Sequence, residues 1–229
     1  MTFTDDTVCT VAVADCLMSR GDFATYLRAW VSRYPNRGYG GMFRQWALSP
    51  DMPAYGSWGN GAAMRVSPIA WLAASEREAL EQAAASAAVS HDHPDAIAGA
   101  QAIVLAMWLA RQGLPPPEIG ARIADRFGYD LRPSVDDIRP GYGFDVSARG
   151  TVPPALISAL EAESYEDAVR NAISLGGDAD TLACIAGGLA EVLFGLPAEV
   201  ADEARVRLDD PLCAVIDRFY AARAAHERR

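Results

Sequence analysis

The chain has 229 residues and a formal net charge of −10, and its 20 basic residues are all arginine. With no lysine there is no Schiff-base chemistry of the pyridoxal-phosphate or aldolase kind, and no Walker-type phosphate loop. The acidic balance argues against direct nucleic-acid binding, which needs a basic surface.

A content of 51% hydrophobic and 22% charged residues predicts a chain that buries a real core. No apolar run approaches the roughly 20 residues of a membrane span. Cys9, Cys16, Cys184 and Cys213 form no C-x-x-C pair, and no secretory signal opens the chain. They read as reduced thiols of a cytoplasmic protein, Cys9 and Cys16 sharing one buried helix face.

In chain order the alanine-rich sequence predicts helices almost throughout. Thr4 is placed to cap a helix over 5–19, and Asp22 a second through Tyr34, stopped by Pro35. Residues 35–68 are a long Gly/Pro/Asn-rich connection, helical in part around 41–48, whose aromatics argue against disorder. Ser75 and Glu78 form a capping box for a helix to about Val89. Pro94 opens a helix that runs to Gln112, with Ile97, Ile103, Val104, Met107 and Trp108 on its buried face. A shorter helix ends at Gly128, residues 129–152 are irregular, and a helix follows over 153–162. Ser164 and Asp167 mark another start, Gly176-Gly177 break it, and Asp178 opens a helix to about Phe194. Helices over 198–206 and 210–226 complete the chain, with 224–229 expected to fray. There is no period-two run, no repeat and no splitting linker, so 1–229 reads as a single all-α domain.

Two helix starts resemble one another. Thr4-Asp5-Asp6-Thr7 opens the first helix and Asp178-Ala179-Asp180-Thr181 a late one. Taken singly, each is explained by capping and by carboxylates at the positive end of a helix dipole. Taken together, four aspartates and adjacent hydroxyls supply hard oxygen ligands suited to Mg²⁺, Mn²⁺ or Ca²⁺, provided the two starts meet in space. Between them lies Tyr55-Gly56-Ser57-Trp58-Gly59-Asn60-Gly61, whose N–H groups could cradle a phosphate or ribose. A Gly-rich turn is its ordinary explanation. His91 and His93 form an H-x-H pair without a nearby cysteine or carboxylate cluster at zinc spacing.

These segments, F-T-D-D-T-V (3–8), G-Y-G-G-M-F-R-Q-W (38–46), Y-G-S-W-G-N-G-A-A-M-R-V-S-P (55–68), S-H-D-H-P (90–94) and L-G-G-D-A-D-T-L-A-C-I-A-G-G (175–188), resemble those of the ADP-ribosylglycohydrolases. The resemblance implies a compact orthogonal bundle of helices with a two-ion Mg centre, Mn²⁺ being an alternative. It implies that Thr4, Asp5, Asp6, Asp178, Asp180 and Thr181 bind metal and that Asp5, Asp6, Asp178 and Asp180 serve catalysis. Gly56, Ser57, Trp58, Gly59, Asn60, Gly61 and His91 would hold the substrate. The implied reaction is Mg-dependent hydrolysis of the bond between ADP-ribose and a modified protein or other acceptor. An ADP-ribose-binding module without turnover, or a structural homologue, is the alternative. The family carries a helix with G-D-x-x-G and a following acidic residue ahead of T-D-D-T. Here that motif stands at residues 4–7, so the expectation is an N-terminally truncated domain or one completed by a second copy. With no lysine, phosphate charge would fall to metal, N–H groups or arginine, and Arg65 is the nearest arginine to the motif-bearing loop.

Overall fold

The computed structural model describes residues 2–227; of the 224–229 stretch expected to fray, 224–227 continue the last helix and 228–229 lie outside the described residues. Thirteen α-helices are found among the described residues, with no strand beyond one isolated bridge between Gly59 and Ser147. The all-α reading holds.

Helix α6 (Pro94–Arg111) is the centre of the bundle. Ala102 through Met107 are an unbroken buried run, so this helix is apolar around its whole circumference. It packs against α4 (Ser67–Leu72), α5 (Glu76–Ala88), α7 (Pro116–Phe127), α9 (Ala148–Leu160) and α11 (Ala179–Phe194). Gly99 lets α9 approach closely, since a Cβ there would meet Ala148 Cβ and Val152 Cγ2 at 3.2 Å. Gly188 does the same on α11, facing Ser67 and Met107. The small residues of α11 around Gly188 therefore lie on a packing face. No helix among the described residues is long and apolar enough to cross a membrane.

Helix α1 (Asp5–Ser19) is enclosed by α2 (Phe23–Arg33), α4 and α13 (Asp210–Glu227), and its Val8, Cys9, Ala12 and Val13 are fully buried. Cys9 and Cys16 are buried free thiols, as the spacing predicts. Helix α13 is tied down by polar contacts: Tyr34 Oη donates to Asp209 at 2.8 Å, and Arg218 pairs with Asp15.

The expected caps are in place at Asp22, Ser75 and Ser164, each accepting from the N–H three residues on. In the two serine caps the N3 carboxylate reaches one residue further back, Glu78 to Ala74 N and Asp167 to Glu163 N. Four elements depart from the sequence reading. Helix α4 and a 3-10 turn at Asn60–Ala62 lie at the end of the expected connection, where Pro68 suits a first turn. Helix α8 (Val135–Ile138) sits in the stretch expected to be irregular and carries its own Ser134–Asp137 capping box. Helix α9 begins at Ala148, capped by Ser147, and runs through Pro153 and Pro154 instead of starting at them. Proline removes a donor from the helical ladder, and the Gly150 carbonyl that Pro154 cannot serve accepts instead from Tyr142 Oη at 3.2 Å. The remaining helices are α3 (Gly41–Leu48), α10 (Tyr165–Ser174) and α12 (Ala198–Arg205).

Candidate functional site at two acidic helix starts

Neither Thr4 nor Asp178, the N-cap residues of α1 and α11, caps its helix with its side chain. Thr4 Oγ1 donates to Asp6 Oδ2 at 2.8 Å, and Asp178 Oδ2 accepts from Asn60 Nδ2 at 2.6 Å. The first N–H of α1 is satisfied by the Arg37 carbonyl at 2.7 Å. Capping, the ordinary explanation of these residues, is thus not what they do here.

The two starts meet. Thr4, Asp5, Asp178, Asp180 and Thr181 line one cleft of about 670 Å³. Asp6 stands behind this wall, buried, with Oδ1 making no hydrogen bond of normal geometry among the described residues. The convergence shows in the protonation of the carboxyls. Burial, and then the Asp6 charge, push Asp5 up to about 7, with Asp180 and Asp178 adding to it. Burial pushes Asp6 up to about 6 against the Thr4 hydrogen bond, again with Asp180 and Asp178 raising it. Asp178 is raised by burial and by Asp180, while Asn60 opposes the shift.

Among the described residues no three histidine, cysteine, aspartate or glutamate side chains stand as a finished metal cage. The donor set nevertheless fits a hard divalent cation. It offers clustered carboxylates whose mutual repulsion a cation would relieve, two adjacent hydroxyls, and a buried carboxylate oxygen without a hydrogen bond of normal geometry among the described residues.

The Gly-rich segment forms the facing wall. Gly56 through Gly61 all line the cleft, as does His91. Their roles divide in a way the sequence does not show. The N–H groups of Gly56, Gly59 and Asn60 are engaged by Asp92 Oδ1, Ser57 Oγ and the Val146 carbonyl. Those of Ser57, Trp58 and Gly61 make no hydrogen bond to an acceptor among the described residues. Asn60 bridges Asp178 to Thr151 Oγ1, which it meets at 3.1 Å, and so braces the second acidic start from α9. His91 is buried and lies against Gly61, where a Cβ would come within 3.0 Å of Nε2. His93 caps α6, its Nδ1 accepting from Asp95 N.

Arg65 does not serve as the phosphate-neutralising arginine. It is fully buried, donates to Ser86 O and Ser90 Oγ, and is absent from the cleft wall. Among the described residues no arginine lines the cleft.

Residues that sequence reasoning missed come from two glycine-aromatic stretches. Gly38 holds φ +97° beside Asp5, where an added Cβ would lie 3.3 Å from Oδ1. Gly40 and Gly41 bring the N-terminus of α3 to the cleft. Phe144 and Val146, from the 139–147 loop, close the side beside Trp58, and Phe144 is 76% exposed. The Gly-Tyr-Gly pattern at 38–40 recurs at 141–143 and was the available signal.

The family model described as ADP-ribosylglycohydrolase matches residues 1–229. The chain belongs to the ADP-ribosylglycohydrolase family. Curated relatives include ADP-ribosylhydrolase ARH3 of Danio rerio, 26% identical over 260 residues, covering 85% of this chain and 70% of the relative. ADP-ribosylhydrolase ARH3 of Mus musculus is 27% identical at the same coverage. ADP-ribosylarginine hydrolase Tri1 of Pseudomonas putida (strain GB-1) is 28% identical over 229 residues, covering 85% of this chain and 59% of Tri1. Among solved structures, an ADP-ribosylglycohydrolase-related protein complex superposes with a TM-score of 0.74 at 24% identity. It covers 98% of this chain and 81% of that one. At that identity the superposition establishes the fold of this ADP-ribosylglycohydrolase, an all-α bundle.

Proposed function

We propose that this ADP-ribosylglycohydrolase hydrolyses the glycosidic bond between ADP-ribose and a modified acceptor, with Mg²⁺ or Mn²⁺ held between the two acidic helix starts. The observation that carries the reading is the meeting of Asp5, Asp178 and Asp180 in one cleft with N-cap side chains that do not cap. The names of the relatives, ADP-ribosylhydrolase and ADP-ribosylarginine hydrolase, support the reaction class.

Asp5, Asp6, Asp178 and Asp180, with the hydroxyls of Thr4 and Thr181, would hold the cations. A bound divalent ion would polarise oxygen ligands and lower the pKa of water. The N–H groups of Ser57, Trp58 and Gly61 and the His91 edge bind and orient the diphosphate-bearing ligand in a cleft that no described arginine lines. The carboxylates facing the ribose stabilise positive charge developing at its anomeric carbon and accept the proton of the attacking water. The bond to the acceptor breaks as the new C–O bond forms, and the acceptor leaves with a proton.

The test is Asp178→Ala with Asp180→Ala, assayed for metal-dependent release of ADP-ribose from a modified protein, with Mg²⁺ binding followed by calorimetry. The double variant loses both turnover and Mg²⁺ binding while remaining folded. Unchanged turnover would overturn the metal assignment. Mg²⁺-dependent ADP-ribose binding by the unmodified chain, without hydrolysis of any conjugate, would leave only a binding module.

A further inference from the structure

Behind His91 lies a chain of polar groups that ligand binding alone does not require. Arg65 Nη2 donates to the Ser86 carbonyl at 2.5 Å and to Ser90 Oγ at 3.1 Å, and Ser90 Oγ stands 2.8 Å from His91 Nδ1. All four residues are buried. A guanidinium has donors and no acceptor, so Ser90 Oγ accepts the hydrogen bond from Arg65. The serine hydroxyl then has its own proton to give, and His91 Nδ1 is the acceptor within reach.

We propose that Arg65 and Ser90 are positioning residues that lock the His91 ring with its proton on Nε2, making it a permanent hydrogen-bond donor toward a phosphate oxygen in the cleft. Nδ1 must keep its lone pair to accept from Ser90, and a neutral imidazole carries one proton, so that proton sits on Nε2. Nε2 is the atom nearest the glycine wall, 3.0 Å from a Cβ built at Gly61 and 3.7 Å from one at Gly59. A protonated Nδ1 would instead donate to Ser90 Oγ, leaving the buried hydroxyl proton with no acceptor within reach and placing the new N–H toward the Arg65 charge. Burial, and the Arg65 charge after it, hold the His91 pKa well below its ordinary value, so the ring stays neutral. Phe43 and Tyr55 flank the ring at centroid distances of 5.8 and 5.9 Å and restrict its rotation.

Among the described residues Arg65 has no carboxylate partner, and its Nε and Nη1 are buried without hydrogen bonds. A charge kept at that cost is more than packing demands. The consequence is a division of labour. His91 binds anionic oxygen and does not shuttle protons, because the lone pair that a general base needs faces Ser90 and not the ligand. The ligand half of this inference rests on the reading under Proposed function; the tautomer does not.

The experiment is long-range ¹H–¹⁵N correlation of the histidine rings in ¹⁵N-labelled protein, with His91 assigned by its loss in His91→Gln. The wild-type ring is expected to show an unprotonated Nδ1 and a protonated Nε2, unchanged between about pH 5.5 and 8. Ser90→Ala is expected to release the tautomer and weaken ADP-ribose binding about tenfold, as loss of a hydrogen bond to a charged ligand would. Ser90→Thr retains both. Arg65→Met repeats the Ser90→Ala result if it folds, and Ser90→Ala decides the matter if it does not. A wild-type His91 that titrates in this range or carries its proton on Nδ1 would overturn the proposal, as would a tautomer unmoved in Ser90→Ala. If the tautomer behaves as expected and wild-type protein does not bind ADP-ribose, the phosphate assignment fails and the lock stands.

Discussion

Thr4 and Asp178 occupy positions where capping would be the default, yet their oxygens are turned to Asp6 and Asn60. Asn60 is the residue on which this arrangement turns. Its amide donates to Asp178 from one side and to Thr151 from the other, so the carboxylate is aimed by a group anchored on α9. Residues that orient a metal ligand typically change metal affinity 10–100-fold when removed. Asn60→Ala is therefore expected to weaken Mg²⁺ binding by about tenfold or more, with Asp178 and Asp180 intact, as measured by calorimetry. In the sequence Asn60 is legible only as one member of a Gly-rich turn. Its partners are 91 and 118 positions away, a separation no local pattern encodes.

At the scale of elements, the entry into α11 depends on close approach of the 139–147 loop. Gly177 has φ +63°, and a Cβ there would lie 2.7 Å from the Gly143 carbonyl oxygen and 3.0 Å from the Tyr142 ring. Gly176 also has positive φ, +75°, but faces open space. Gly176→Ala is expected to cost about 1 kcal/mol, through backbone strain alone. Gly177→Ala must also displace the loop, and is expected to cost about 2 kcal/mol or more. Chemical denaturation of the two variants checks this ordering, and equal losses would show that the contact with Gly143 carries no weight. The Gly-Gly break is legible in the sequence, whereas the difference between the two glycines is not. Helix α9 teaches a similar lesson. Proline at a first turn is the sound local expectation, and the structure overrides it because Ser147 caps earlier and Tyr142 satisfies a carbonyl that Pro154 leaves open.

For the whole molecule, charge is the governing quantity. A chain of net charge −10 presents a cleft lined by aspartates and by no described arginine, so an anionic ligand would meet repulsion that a bound cation would relieve. The same clustering affects stability. Asp5 and Asp6 are raised from 3.8 to about 7 and about 6, and Asp178 is raised as well. Between the unfolded and folded values the native state binds more protons than the unfolded chain, so ionising these groups favours unfolding. Their penalty is absent below about pH 4, grows as pH rises, and is complete above about pH 7. A ligand binding only the folded form would offset it. The melting temperature of chelated protein is therefore expected to fall relative to the Mg²⁺-loaded protein as pH rises from about 5 to 8. A gap between the two curves that narrows with rising pH would contradict this.

The sequence by itself determined the all-α class, the principal helix boundaries and the identity of the acidic starts, because caps, glycine breaks and hydrophobic periodicity act within a few residues of one another. It likewise placed Thr4, Asp5, Asp178, Asp180 and Thr181 in one cleft by way of a family resemblance, and the structure brings them together. Only the tertiary structure decided that Asp6 stands behind the cleft wall, that Arg65 is buried beneath His91, and which amides of the Gly-rich segment are already engaged. The physical reason is that direction and burial of a polar side chain are set by packing partners on other helices. Arginine in a loop motif looks the same in sequence whether it faces phosphate or holds a serine in the core.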